Sequence, residues 1–254
     1  MSAHSTSGPA QPARATELGS LGVLGGTFNP PHRGHLALAR CAREQLGLER
    51  VLLVPAHTAP YKADGSHGEH DPGPGQRLRM CRLAVADCQD AGHGQAPAGG
   101  RPLRACRDGV DAGLSVCALE IERGGVSYTV DTLSALHARH PHAQLTLIVG
   151  ADVARTLGSW REPARLLELA RVAVAERPGT PRAPVLDALA ELRGGGPGAR
   201  ARSPEVSFLE MPAVEISSSL VRERVARGEP IEQLVGPSVA RYIAERRLYA
   251  GGAR

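Results

Sequence analysis

The stretch LGVLGGTFNPPHRGH, which runs from Leu21 to His35, decides the fold of this chain. Its first four residues are a short apolar run that ends in a pair of glycines, and this pattern predicts a buried strand leading into a tight turn. Apolar residues at helical spacing continue from His35 to Leu46, and Gly47 supplies the stop signal of a helix. A strand joined to a helix through such a loop is typical of open α/β sheets, which bind ligands at the carboxyl ends of their strands.

The remainder of the chain continues this alternation of strands and helices. Further strands are predicted at residues 51–54, 116–121, 145–149, 172–175 and 206–209. Helices are predicted at residues 35–46, 76–88, 128–140, 162–170, 184–192, 218–227 and 231–247. Several of the strands are apolar throughout, as expected of a parallel sheet covered on both faces. We therefore predict an α/β fold, a Rossmann-like open parallel sheet with helices on both faces and further helices at the C-terminus.

The length allows one sizeable α/β domain or two small ones. A chain of 254 residues, 42% of them hydrophobic, suits a single α/β domain, which we place at residues 21–250. Residues 1–20 contain no apolar run and are expected to form a disordered extension. Segments 91–111 and 194–204 are rich in glycine and interrupt the alternation, so we expect surface insertions there.

The net charge and the cysteine pattern limit the binding partners and the cellular location that the sequence supports. The formal net charge of +4 suits anionic small molecules and gives no support for nucleic acid as a partner. No segment reaches the roughly 18 consecutive apolar residues of a membrane helix, so no membrane partner is expected. Five cysteines without a CxxC pair fit neither a disulfide framework nor a zinc site, and they favour a cytoplasmic location. The oligomeric state is left open, and a homo-oligomer is compatible with the sequence.

The loop between the first strand and the first helix has the properties of a phosphate site. Gly25 and Gly26 allow the backbone to approach a nucleotide, and the start of the helix offers free N–H groups and a favourable dipole. His32 and His35 project from the same side of the first helical turn, so both imidazoles can face one anion. Taken singly, the glycines indicate only a turn and each histidine only a surface or core residue. The loop is neither GxxxxGK[ST] nor GxGxxG.

Other candidates follow later strands or begin a later helix. In the run Ile216–Arg222 (ISSSLVR), the serines are helix N-cap candidates, and the planar fork of Arg222 suits phosphate oxygens. Asp152, directly after a strand, is either a helix N-cap or an acceptor for a ribose hydroxyl. Lys62, after the second strand, is either a solvated lysine or a phosphate ligand.

Two motifs resemble those of the nucleotidyltransferase superfamily. GGTFNPPHRGH resembles its T/HxGH signature, and ISSSLVR resembles its ISSTxIR motif, with Ser219 in place of threonine. The resemblance implies that His32, His35 and Arg222 are catalytic, that the histidines bind ATP phosphates, and that no covalent enzyme intermediate forms. The ATP site that it implies consists of Gly25, Gly26, Thr27, Phe28, His32, His35, Lys62, Asp152, Ile216, Ser217, Ser218, Ser219 and Arg222.

Two further stretches resemble bacterial nicotinate-nucleotide adenylyltransferases. They are SYTVDTL at residues 127–133 and LIVGADVARTLGSW at residues 147–160. In that family these segments grip the nicotinate ring, which implies a nicotinate-nucleotide site at Thr27, Tyr128, Thr129 and Trp160. Without the resemblance, the sole tryptophan would be taken for a packing residue. Tyr61 is a departure, because the family usually has histidine before the lysine.

The resemblance implies that ATP and nicotinate mononucleotide react to give deamido-NAD and pyrophosphate, a step of NAD biosynthesis. Mg²⁺ is expected to be held mainly by the substrate phosphates, and no protein metal site is expected, because the remaining histidines lack zinc-like spacing. Three alternatives stay open. They are an adenylyltransferase for nicotinamide mononucleotide or another phosphorylated acceptor, a non-catalytic nucleotide sensor, and an RNA-binding fragment similar to a synthetase.

Overall fold

One parallel sheet forms the centre of the molecule. The computed structural model describes residues 18–60, 71–90, 113–176, 181–192, 206–211 and 214–250. Within these ranges six strands form a single sheet in the order β3-β2-β1-β4-β5-β6, and all neighbours are parallel. The strands are β1 (Ser20–Gly26), β2 (Arg50–Pro55), β3 (Leu114–Val116), β4 (Gln144–Gly150), β5 (Ala170–Glu176) and β6 (Val206–Glu210).

Helices connect the strands and follow the last of them. They are α1 (Arg33–Leu46), α2 (Pro74–Asp90), α3 (Leu119–Arg123), α4 (Thr129–Arg139), α5 (Ala151–Ala154), α6 (Pro163–Leu169), α7 (Ala183–Glu191), α8 (Ser218–Ala226), α9 (Glu232–Val235) and α10 (Pro237–Glu245), with a 3₁₀ turn at Leu157–Ser159. No helix among the described residues has both the length and the apolar character needed to cross a membrane.

Both faces of the sheet are covered, as the sequence predicted. Alternate strand residues point to opposite faces, so Leu24 and Leu53 pack with α1, α2 and the C-terminal helices α8–α10. Val23 and Leu147 point the other way and pack with α4–α7. The strands are therefore apolar on both sides, which explains their continuous hydrophobic sequences.

The strand order indicates where a ligand is expected to bind. The chain winds outward from β1 through β2 to β3, and then from β4 through β5 to β6 on the other side. The order reverses between β1 and β4, and a crevice opens beyond the carboxyl ends of strands at such a point. The two segments that leave the sheet at this point are the loop after Gly26 and helix α5, which follows Gly150.

Two predicted elements differ in the structure. The strand predicted at 116–121 is wrong, because β3 ends at Val116 and the apolar residues that follow belong to the short helix α3, whose buried side carries Leu119. The helix predicted at 231–247 is divided into α9 and α10 by Gly236, which has a φ of 96°, and by Pro237.

Three predicted segments lie partly or wholly outside the described residues. β1 begins at Ser20, so the last residue of the predicted extension belongs to the sheet. Residues 1–17 and the two predicted insertions, 91–111 and 194–204, lie outside the described ranges.

Candidate active site

The loop after β1 carries the first half of the site. Gly25 faces open space, because a Cβ added there would meet no described atom within 4 Å. A Cβ on Gly26 would lie 3.2 Å from the ring of Phe28. That ring is buried, and its residue has a φ of 51°, in the left-handed region. The positive φ of Phe28 therefore turns the chain sharply, and its buried ring packs against Gly26. The backbone of Gly25, which faces open space, remains accessible to a ligand.

The two histidines lie against each other at the start of α1. Their rings are stacked with centroids 3.7 Å apart, and His32 is the N-cap residue. The backbone N–H of His32 donates to Nδ1 of His35 at 3.2 Å. Because Nδ1 of His35 is an acceptor, its neutral imidazole carries the proton on Nε2. A Cβ on Gly34 would lie 3.0 Å from Nδ1 of His32, so glycine makes room for this pair.

Burial keeps both imidazoles neutral near pH 7. His32 is 7% exposed, and burial lowers its pKa to about 4. Burial and the neighbouring His32 lower the pKa of His35 well below its usual value. Nδ1 of His32 is buried and has no hydrogen-bond partner among the described residues. The pair therefore provides uncharged hydrogen-bond donors rather than fixed positive charges.

Arg222 joins this loop from the distant helix α8. Its Nη1 donates to the carbonyl oxygen of Asn29 at 2.7 Å, and its Nη2 donates to Oγ of Ser219 at 3.1 Å. Ser218 donates from Oγ to the carbonyl oxygen of Pro30 at 2.8 Å. Two residues of α8 are thus hydrogen-bonded to the loop between Gly26 and His32, which brings the guanidinium to the segment that bears both imidazoles.

Two other residues of the serine motif, Ser217 and Ile216, hold helix α8 in place. Ser217 is the N-cap of α8, since its Oγ accepts from the backbone N–H of Leu220 at 3.1 Å. The N-cap interpretation of the serines is therefore correct for Ser217. Ile216 is half-buried and packs against the hydrophobic core.

Two side chains that anchor this loop were not predicted from the sequence. Tyr249, near the C-terminus, is buried, and its hydroxyl donates to Oδ1 of Asn29 at 2.7 Å. Burial raises the pKa of Tyr249, so the phenol stays protonated as this donor. Arg77 is also buried, and it contacts the carbonyl oxygen of Thr27. No local sequence pattern predicts these contacts, because Tyr249 and Arg77 lie far along the chain from the loop that they meet.

The segment predicted to hold the pyridine ring is fixed to the loop after β2. The backbone N–H of Ser127 donates to the carbonyl oxygen of Thr58 at 2.9 Å, and the N–H of His57 donates to Oγ of Ser127 at 2.9 Å. Tyr128 is the N-cap of α4 and Thr129 is its first residue. The first N–H groups of a helix lack partners within that helix, so this end suits a carboxylate.

The tryptophan segment lies beside Tyr128. Trp160 follows the 3₁₀ turn, is half-buried, and donates from Nε1 to Oγ1 of Thr156 at 3.3 Å. The guanidinium of the next residue, Arg161, lies 4.7 Å from the centroid of the Tyr128 ring and 3.7 Å from the carboxylate of Asp131. These contacts bring two of the sequence-predicted nicotinate segments together.

The remaining two predicted ATP contacts are Asp152 and Lys62. Asp152 lies in the first turn of α5, where Gly150 is the N-cap, so the N-cap interpretation of Asp152 is wrong. Its side chain is 65% exposed and pairs with Arg155 at 2.6 Å. Lys62 lies outside the described residues. Within the described part of the chain, no group of three His, Cys, Asp or Glu side chains is arranged to hold a metal ion.

Comparison with known proteins identifies the family. A model of the family described as cytidylyltransferase-like matches residues 23–224. A probable nicotinate-nucleotide adenylyltransferase of Herpetosiphon aurantiacus is 36% identical over 231 residues, covering 90% of this chain and 98% of that protein. Another, of a Roseiflexus species, is 39% identical over 229 residues, covering 90% of this chain and 97% of that protein.

The fold agrees with that of a solved structure. The Plasmodium falciparum nicotinic acid mononucleotide adenylyltransferase complexed with APC superposes with a TM-score of 0.64 at 16% identity, covering 92% of this chain and 99% of that one. At that identity the likeness concerns the fold alone. From the family model and the curated relatives, the chain belongs to the cytidylyltransferase-like family and, within it, to the nicotinate-nucleotide adenylyltransferases.

Proposed function

We propose that this enzyme transfers the adenylyl group of ATP to nicotinate mononucleotide, giving deamido-NAD and pyrophosphate, with His32, His35 and Arg222 as its catalytic residues. One observation carries the assignment of these residues. Arg222 and Ser218 are hydrogen-bonded to Asn29 and Pro30, about 190 positions earlier in the chain, in the loop that leads to the two neutral imidazoles at the start of α1. Family membership supports the substrates.

In the proposed reaction the 5′-phosphate of the acceptor attacks the α-phosphorus of ATP. The bond from that phosphorus to the bridging oxygen breaks, and pyrophosphate leaves with the electron pair. The second pKa of a phosphate monoester is about 6, so the nucleophile is already an anion near pH 7. No general base is needed, and catalysis consists of aligning two polyanions and stabilising charge as it develops.

The imidazoles would act as donors to the phosphates. A neutral His35 with its proton on Nε2 can donate to a phosphate oxygen without loss of a proton. A triphosphate beside the pair favours the charged form of each imidazole, so binding is expected to raise both lowered pKa values. Each imidazole would therefore take up a proton at a higher pH when the ligand is bound than when the site is empty.

Arg222 would complete the phosphate site. Two of its donors already contact Asn29 and Ser219, and a guanidinium has five. The others remain for phosphate oxygens, while the contact to Asn29 keeps the guanidinium at the loop. The proposed ATP site also includes Gly25, Gly26, Thr27 and Phe28 of the loop, the serine motif of α8, Asp152 for a ribose hydroxyl, and Lys62.

The nicotinate ring would lie between the start of α4 and Trp160. A flat indole face stacks on a heteroaromatic ring, and the N–H groups at Tyr128 and Thr129 suit the ring carboxylate. An uncharged amide gains less from these groups and from the helix dipole. The acceptor would therefore be nicotinate mononucleotide in preference to nicotinamide mononucleotide.

Magnesium would arrive with ATP, as part of the substrate. Mg²⁺ keeps several waters and is usually bound by substrate phosphates with few protein ligands. When bound, the ion would neutralise charge on the leaving pyrophosphate.

The proposed location of the enzyme is the cytoplasm, because a reducing environment suits five cysteines without a CxxC pair. A homo-oligomer is compatible with the proposal.

The test is a comparison of kcat/KM for nicotinate and nicotinamide mononucleotide, with pyrophosphate release as the measure of turnover. We expect the nicotinate compound to be favoured about tenfold or more, because the amide leaves donors at the helix start without a charged partner. Equal values, or a preference for the amide, would reject the acceptor assignment. Absence of pyrophosphate with both acceptors would instead support a nucleotide sensor.

A further inference from the structure

Arg77 is a buried cation that the proposed mechanism does not use. Its residue is 1% exposed and lies on α2, where its buried neighbours Met80, Cys81 and Ala84 are apolar. A charge in such a place is costly unless it is paired and hydrogen-bonded. Nε donates to Oδ1 of Asp71 at 3.0 Å, which supplies the opposite charge. The other two nitrogens of the guanidinium, Nη1 and Nη2, donate elsewhere.

Those donors reach the backbone of two separate loops. Nη1 donates to the carbonyl oxygens of Thr27 at 2.8 Å and of Ala56 at 2.6 Å. Nη2 donates to the carbonyl oxygen of His57 at 2.8 Å. Thr27 lies in the loop after β1, whereas Ala56 and His57 lie in the loop after β2. A single rigid guanidinium therefore joins these loops, in addition to the backbone hydrogen bond from the N–H of Ala56 to the carbonyl oxygen of Gly26 at 2.9 Å.

Each of the two loops leads to a different half of the site. The loop with Thr27 continues to the two histidines. The loop with His57 holds the nicotinate segment, because the N–H of His57 donates to Oγ of Ser127 and the N–H of Ser127 donates to the carbonyl oxygen of Thr58. Through Thr27 and His57, the side chain of Arg77 therefore contacts the loop that belongs to each half.

We propose that Arg77 is a positioning residue that sets the phosphate loop and the nicotinate segment at the separation needed for in-line transfer. This proposal rests on the proposed function. Transfer requires the acceptor phosphate and the α-phosphorus to be aligned, and a misplacement of about 1 Å can cost roughly 100-fold in rate. Arginine is needed because its fork directs several donors in one plane, whereas a lysine ammonium is a single point on a flexible stem.

The experiment compares three variants with the parent protein. Arg77→Lys keeps the charge and loses the fork, and Arg77→Met also removes the charge. Met80→Ala, one turn later on the same helix, removes buried apolar volume and leaves the carbonyl contacts in place. Steady-state kinetics is measured well below the Tm of every variant. Hydrogen exchange is followed at residues 27–35 and 127–133.

Arg77→Lys is expected to lower kcat about tenfold and Arg77→Met about 100-fold, while KM for each substrate changes less than about threefold. Both exchange segments should lose protection together. Met80→Ala is expected to lower the Tm and to leave kcat within about twofold of the parent value. If Arg77→Met does not fold, Arg77→Lys alone decides.

Two results would overturn the proposal. One is an Arg77→Lys variant whose kcat stays within about twofold of the parent value, since the fork would then be dispensable. The other is an equal loss of kcat in Met80→Ala, because general destabilisation would then explain both. If the parent itself shows no turnover, the proposed function fails, and hydrogen exchange decides whether Arg77 links the two loops. Unchanged protection in Arg77→Lys would then reject the link.

Discussion

The burial of His32 links the candidate site to the pH dependence of stability. The pKa of its imidazole is lowered by burial from 6.5 to about 4 in the folded chain. Between pH 6.5 and pH 4 the imidazole of His32 is protonated in the unfolded chain and remains neutral in the folded chain. The stability that depends on a neutral His32 is therefore present above pH 6.5 and is lost as the pH falls toward 4.

The size of this loss follows from the two pKa values. Each unit of difference corresponds to about 1.4 kcal/mol, so the complete loss is about 3 kcal/mol and the part between pH 7 and pH 5 is about 2 kcal/mol. Because the residue is only 7% exposed, solvent screening removes little of this. We expect His32→Gln to show a correspondingly smaller decrease in the free energy of unfolding over that interval.

Equilibrium denaturant unfolding at pH 7 and at pH 5 measures this difference. His137→Gln is a suitable control, because it removes an imidazole that is exposed on α4 and not buried. If His32→Gln loses as much free energy of unfolding between pH 7 and pH 5 as the parent does, the imidazole is not held neutral by burial. The proposal of neutral donors would then fail.

Three further predictions concern single substitutions. His35→Ala should lower kcat about 100-fold or more, the scale expected on loss of one transition-state donor, and near-normal turnover in a rapid-quench assay would contradict its role. Trp160→Ala should raise KM for nicotinate mononucleotide and leave KM for ATP nearly unchanged; the reverse pattern in steady-state kinetics would reject the stacking assignment. Tyr249→Phe removes one buried hydrogen bond to Asn29 and should lower the free energy of unfolding by about 1 kcal/mol, whereas an unchanged denaturation midpoint would show that this bond contributes nothing.

The parts of the fold that could be predicted from sequence are those encoded locally. The apolar run before Gly25-Gly26 and the helical spacing after His35 gave β1 and α1, since each depends on residues near in sequence. The strand predicted at 116–121 failed because β3 is a three-residue edge strand, too short to establish an alternation. The apolar positions after it fit a helix turn equally well.

The candidate site was predictable only where a motif marks it. The histidines and Arg222 stand in recognisable motifs, and the structure brings them to one loop, although their catalytic roles remain predictions. Arg77 and Tyr249 contact the same loop across 50 and 220 positions of sequence. No local pattern predicts such pairs, because their partners are backbone carbonyls or an amide whose positions depend on the complete fold.

A crystal structure of this chain with a non-hydrolysable ATP analogue tests the central claim most directly. We expect both imidazoles and the Arg222 guanidinium to lie within hydrogen-bond distance, about 2.7–3.2 Å, of oxygens of the same triphosphate. A triphosphate bound away from residues 25–35, or one contacted by the histidines while Arg222 donates only to Asn29 and Ser219, would contradict it.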